Sequence, residues 1–118
     1  MNKKKVLVID DEEFIRDLVK EFLATEEHHC DVAENPEQGL NLITMQQYDL
    51  ILLDRNLGKI KAESIISKIH MIDPNVPVVI LTGDAECHED FLQKIGASGI
   101  VLKPFQVNDL LNSIAGFL

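Results

Sequence analysis

The chain has 118 residues, 46% of them hydrophobic, with 20 Asp and Glu against 11 Lys and Arg for a formal charge of −9. That is one domain of ordinary size, residues 1–118, with enough apolar content for a proper core. The acidic balance argues against nucleic-acid binding, which needs clustered cations, and no apolar run is long enough to span a membrane or patterned as a signal peptide.

The first element is "KVLVID", Lys5 to Asp10, a dense apolar strand. Phe14, Ile15, Leu18, Val19, Phe22 and Leu23 then recur at helical spacing, with Glu12 and Glu13 favouring the helix start through its dipole. "CDVAE" is a shorter, weaker strand. Asn35-Pro36-Glu37-Gln38 is a helix start, with an Asn cap and Pro at the first helical position. Leu40, Leu42 and Ile43 carry that helix inward. "DLILLD", Asp49 to Asp54, is a second fully apolar strand. A helix from Ala62 to Ile72 buries Ile65, Ile66 and Ile69, and Asp73-Pro74 stops it. "VPVVILT" ends a third such strand at Thr82. A short helix from Glu86 to Ile95 stops at Gly96. "GIVLK" ends a fourth apolar strand at Lys103, and Val107 to Phe117 is the last helix.

Unbroken apolar strands alternating with amphipathic helices predict an α/β fold, a doubly wound parallel sheet covered on both faces. Ligands in such sheets bind beyond the carboxyl ends of the strands. Asp10, Asp11, Asp54, Thr82 and Lys103 all fall at those ends. Three carboxylates on one edge repel each other unless a cation sits among them. Mg²⁺, a hard cation that takes oxygen ligands and works beside phosphoryl oxygens, fits.

Four motifs now stand in order: "DD" at Asp10-Asp11, "LLD" ending in Asp54, "LTG" at Thr82, and "GASGIVLKPF" with Lys103-Pro104. With these the chain resembles, over its whole length, a receiver domain of two-component response regulators of the chemotaxis-regulator type. The resemblance implies a flavodoxin-like (βα)5 sheet in the order 2-1-3-4-5. It implies that Asp54 accepts a phosphoryl group from the phosphohistidine of a sensor histidine kinase or phosphotransfer protein. Mg²⁺ would be held by Asp11, Asp54 and the backbone carbonyl of Asn56, with Asp10 acting mainly through water. Lys103 and Thr82 would hold phosphoryl oxygens, and the Lys103-Pro104 peptide would be cis. The signal would pass to a downstream effector protein or domain, with a homodimer formed on phosphorylation left open. Cys30 and Cys87 would be reduced thiols in the cytoplasm.

The chain departs from the family's pattern in places. The family has Pro four residues and Gly eight residues after the phosphoacceptor, where this chain has Gly58 and Ala62. With Arg55, Lys59 and Lys61 nearby, that loop is expected to be more mobile and more basic than usual. Asn56 and Asp84 fall at the two positions that tune phosphoryl lifetime in the family. Ile100 replaces an aromatic residue, so the output is expected as a displacement of Thr82 to Ile95 rather than as an aromatic rotamer switch. The partner face would be that helix, Gly99 to Leu102 and the last helix.

Three other readings compete. His28-His29-Cys30 with Cys87-His88 could hold zinc, although no ligand spacing repeats. A haloacid-dehalogenase-like phosphatase also uses an Asp and Mg²⁺, but it needs a second Asp where this chain has Asn56. A pseudo-receiver would bind partners and never carry phosphate.

Overall fold

The computed structural model describes residues 3–57, 60–83 and 89–118. Five strands form one parallel sheet: β1 (Lys5–Ile9), β2 (His29–Ala33), β3 (Leu50–Asp54), β4 (Val78–Thr82) and β5 (Gly99–Leu102). Their order across the sheet is β2-β1-β3-β4-β5, as the resemblance implies. The helices between them are α1 (Glu13–Thr25), α2 (Pro36–Met45), α3 (Ala62–Ile72), α4 (Glu89–Ile95) and α5 (Val107–Ile114). A turn of 3₁₀ helix, Ala115–Phe117, follows α5. The expected start of α4 at Glu86 lies outside the described residues.

Every residue of β3 and β4 is buried, because both faces of the sheet are covered. Alternation along the strands divides the core in two. Leu7, Ile9, Ile51, Leu53 and Ile80 pack with Ile43 of α2, Ile65, Ile66 and Ile69 of α3, and Leu92 of α4. Val6, Val8, Leu50, Leu52, Val79 and Leu81 pack with Ile15, Val19, Phe22 and Leu23 of α1 and with Leu110 and Ile114 of α5. Full burial of one such aliphatic side chain stabilises the fold by about 1.5–3 kcal/mol.

Phe14 corrects the expectation for α1. Its side chain is 72% exposed. The inward face is set by Ile15, Val19, Phe22 and Leu23, and Phe14 stands one residue, about 100° of helical rotation, off it.

Local signals hold elsewhere. Asn35 caps α2, its Oδ1 accepting the Gln38 N–H at 2.8 Å, and Pro36 is the first helical residue. Gly39 allows α2 to approach β1. A Cβ there would lie 2.5 Å from Ile9 Cδ1. Gly96 ends α4 with φ of +83°, a conformation that favours glycine.

β2 is the weaker strand expected, with one open edge and mixed burial. Polar side chains pin it. Tyr48 donates its hydroxyl to Asp31 Oδ2 at 2.6 Å, and Gln46 Nε2 donates to the same oxygen at 3.0 Å. Burial raises the Asp31 pKa, but the Tyr48 and His29 hydrogen bonds outweigh it, so its net shift is downward.

Candidate functional site

Three backbone bonds align the ends of the five strands. Asp10 N–H donates to Ala33 O at 3.1 Å, Arg55 N–H to Leu81 O at 2.9 Å, and Lys103 N–H to Thr82 O at 2.7 Å. Ile9 pairs with Leu53, so the next residues along, Asp10 and Asp54, lie side by side. Asp54 pairs with Leu81 and Thr82 with Leu102, which sets Thr82 one step beyond Asp54 on the neighbouring strand. The five residues expected at the strand ends therefore sit on one edge.

Asp10, Asp54 and Thr82 are the buried polar residues of that edge, Asp10 at 0% and Asp54 at 3% exposure. Two buried carboxylates need a compensating charge. Lys103 supplies it: Nζ lies 2.9 Å from Asp10 Oδ2, 3.1 Å from Glu12 Oε1 and 3.5 Å from Asp54 Oδ1. The Lys103-Pro104 peptide is cis, as the resemblance implies.

Each carboxylate is oriented further. Asp10 Oδ1 accepts the Glu12 N–H at 2.9 Å, and Arg16 Nη1 donates to the Asp10 carbonyl at 2.8 Å. Asp54 Oδ1 accepts the Asn56 N–H at 3.1 Å. The Asn56 N–H thus touches the phosphoacceptor candidate. Asn56–Leu57 and Ile60–Lys61 form a short antiparallel pair after Asp54, and Ala62 opens α3 as a buried residue. Gly58, Lys59 and Asp84 lie outside the described residues.

The electrostatics follow from this packing. Burial pushes the Asp54 pKa up most. The Asn56 N–H pulls it down, the Asp10 charge raises it, Lys103 lowers it and Asp11 raises it, leaving it at about 6 against an ordinary 3.8. For Lys103, burial works to lower the pKa. The Asp10 hydrogen bond and charge, with Asp54 and Glu12, outweigh it and shift the group upward.

Carboxylate oxygens of Asp10, Asp11, Glu12 and Asp54 all lie within 4.8 Å of one another. Hard oxygen donors at that spacing suit a hard divalent cation. Glu12 is the member that residue-by-residue reading missed. A glutamate ahead of a helix reads as a favourable dipole term, and only the chain's path shows it reaching Lys103. Arg16 was missed too, because a basic residue in a surface helix carries no positional signal.

The proposed zinc grouping does not assemble among the described residues. His28 Nδ1 accepts the Lys4 N–H at 3.0 Å, and His29 Nε2 lies 2.8 Å from Asp31. Cys30 is buried, with its thiol pKa pushed up to about 12, first by burial. Cys87 and His88 lie outside the described residues. No helix among the described residues is long and apolar enough to cross a membrane.

The model of the response regulator receiver domain family matches residues 6–115. Sporulation initiation phosphotransferase F of Bacillus subtilis is 30% identical, over 100% of this chain and 96% of its own. The chain spans about half the length of several transcriptional regulators it also matches. The chemotaxis response regulator CheY4 of Vibrio cholerae superposes with a TM-score of 0.91 at 23% identity, over 99% of this chain and 100% of that one. The receiver domain of a Pseudomonas aeruginosa sensor histidine kinase, solved with magnesium coordinated in its active-site cleft, does so at 0.80 and 22% identity, over 94% and 93%. At those two identities the likeness concerns the fold. With the family model matching nearly the whole chain, this protein belongs to the response regulator receiver domains, the phosphoacceptor signalling domains of two-component systems.

Proposed function

We propose that residues 1–118 act as one receiver unit and that Asp54 is its phosphoacceptor. The observation that carries this is a buried carboxylate at the end of the central strand, with Lys103 Nζ 3.5 Å away and three further acids around it. The donor is the phosphohistidine of a sensor histidine kinase or phosphotransfer protein. An Asp54 oxygen forms a bond to phosphorus as the P–N bond breaks, and the electron pair stays on the imidazole nitrogen. Ionised Asp54 needs no base for this attack. Lys103 holds a phosphoryl oxygen as a point charge, and the Thr82 hydroxyl donates to the same group once it is attached. Such transfers depend on positioning and charge neutralisation, which these groups supply.

The carboxylates of Asp10, Asp11 and Asp54, with the Asn56 carbonyl, would hold Mg²⁺, and Glu12 is close enough to join them. When bound, Mg²⁺ offsets the charge of the acids and of the phosphoryl oxygens. The magnesium in the Pseudomonas aeruginosa receiver cleft supports that choice of ion. We read the domain as a cytoplasmic phosphoacceptor that assists its own phosphorylation and dephosphorylation, with output by contact to an effector protein or domain. The test is intact mass after incubation with a small phosphodonor and Mg²⁺. The parent should gain one phosphoryl group and Asp54→Asn should gain none with its fold intact; equal labelling of the variant would sink the assignment.

A further inference from the structure

Among the described residues, Asp11 alone in the acid cluster has a carboxylate with no hydrogen bond or ion pair. That carboxylate is exposed, yet one of its oxygens lies within 4.8 Å of those of Asp10, Glu12 and Asp54. The backbone is what aims it. The peptide before Asp11 is pinned at its carbonyl, where Asp10 O accepts from Arg16 Nη1 at 2.8 Å. The peptide after Asp11 is pinned at its N–H, which Glu12 donates to Asp10 Oδ1 at 2.9 Å. Peptide units are rigid planes, so fixing both neighbours fixes the direction in which the Asp11 side chain leaves the chain.

Arg16 is placed to do this. It stands at the end of the first turn of α1, its own N–H donating to Glu12 O at 3.1 Å. Glu12, at the cap position of that helix, makes no side-chain capping bond, so the entry to α1 is held by Arg16 and Asp10 instead. The Arg16 side chain is 14% exposed, whereas its ion-pair partner Glu34 is 60% exposed and 4.0 Å away. The close contact of this guanidinium is therefore with a neutral carbonyl. Its rigid, planar set of donors suits it to fix a backbone position.

We propose that Arg16 is a positioning residue for the divalent cation: by holding the Asp10 carbonyl it aims the Asp11 carboxylate into the cluster, and the cation binds more weakly without it. The inference rests on the Mg²⁺ reading of that cluster. The expected sign is opposite to that of simple electrostatics. A guanidinium bonded to a member of the cluster repels a cation, so removing its charge alone would tighten binding. Losing a group that orients a metal ligand weakens binding, typically by about ten-fold or more.

The test is a Mg²⁺ titration of the whole chain, followed by the backbone amide shifts of residues 10–13. Arg16→Met keeps the apolar stem and removes the guanidinium. It should bind Mg²⁺ about ten-fold more weakly than the parent. In the metal-free variant the Asp11 and Glu12 amides should also lose order on the picosecond to nanosecond timescale, read as lower NMR order parameters. Lys20→Met removes an exposed charge from the same helix and should bind no more weakly than the parent. Should Arg16→Met not fold, Arg16→Gln, also neutral and shorter, carries the same expectation. Equal or tighter binding by the Arg16 variant would overturn its role and leave the metal site standing. So would an equal weakening in Lys20→Met, or weaker binding with Asp11 as ordered as in the parent. A parent whose amides at 10–13 ignore Mg²⁺ would overturn the metal site and the role of Arg16 together.

Discussion

Lys103 Nζ sits closer to Asp10 than to Asp54, 2.9 Å against 3.5 Å. The ammonium is thus hydrogen-bonded to the fully buried acid and only leans on its neighbour. Removing it leaves Asp10 without a charge partner among the described residues. Lys103→Met should destabilise the metal-free protein by about 2–4 kcal/mol, since breaking a buried pair from one side strands the other charge. Urea denaturation near neutral pH checks this. A loss well under 1 kcal/mol would mean that Asp10 is compensated elsewhere.

Mg²⁺ should raise the melting temperature. A ligand that binds the folded state alone stabilises it by mass action, and the four crowded carboxylates exist only when folded. Asp11 is exposed, so Asp11→Ala should leave the metal-free melting temperature nearly unchanged while abolishing the rise. Addition of EDTA should return the parent to its metal-free value. A parent melting temperature indifferent to Mg²⁺ would count against the site.

Asp54 gives the metal-free protein a pH dependence of unusual sign. Its folded-state pKa is about 6 against 3.8 ordinarily, so between those values the folded state holds a proton that the unfolded state has released. Stability from this group therefore falls as pH rises from about 4 to about 6, and remains lost above that. Asp54→Asn removes the effect. The variant should be more stable than the parent near neutral pH in EDTA, with the gap closing toward pH 4. Parallel stability curves for the two proteins would show that burial does not act on Asp54 as described.

Gly39 carries a packing prediction. Alanine is favoured over glycine in a helix by about 1 kcal/mol. Here the new Cβ would lie 2.5 Å from Ile9 Cδ1 in a filled core, and overpacking costs about 1–3 kcal/mol. Gly39→Ala should therefore lower stability on balance. Ile9→Val deletes the closer of two clashing carbons and keeps Cγ1, 2.8 Å from the new Cβ, so the double variant should lose somewhat less than the two single losses combined. Additive losses would place the strain elsewhere.

Much of this molecule is legible from residue types alone. Asp10, Asp54, Thr82 and Lys103 stand out because a polar residue ends each apolar run, and parallel strands bring those ends together. The α2 cap at Asn35 and the α3 span are equally local signals. What stays hidden depends on distance through space. Glu12 reaches Lys103 across 91 residues of sequence, and Arg55 finds Phe91 through the placement of α4. Phe14 misleads for a different reason: one residue of helical phase separates the core face from solvent, and apolar identity alone does not resolve it. The paired segments Asn56–Leu57 and Ile60–Lys61 are too short for any periodicity to register.

The ion pair between Asp10 and Lys103 joins residues 93 positions apart, one after the first strand and one after the last. The charge balance of the proposed phosphoacceptor site is therefore a property of the assembled sheet and of no fragment of it. A chain still emerging from synthesis, or one whose β5 has peeled away, presents its acids without their cation. Such a copy lacks the charge balance on which the proposed transfer to Asp54 depends.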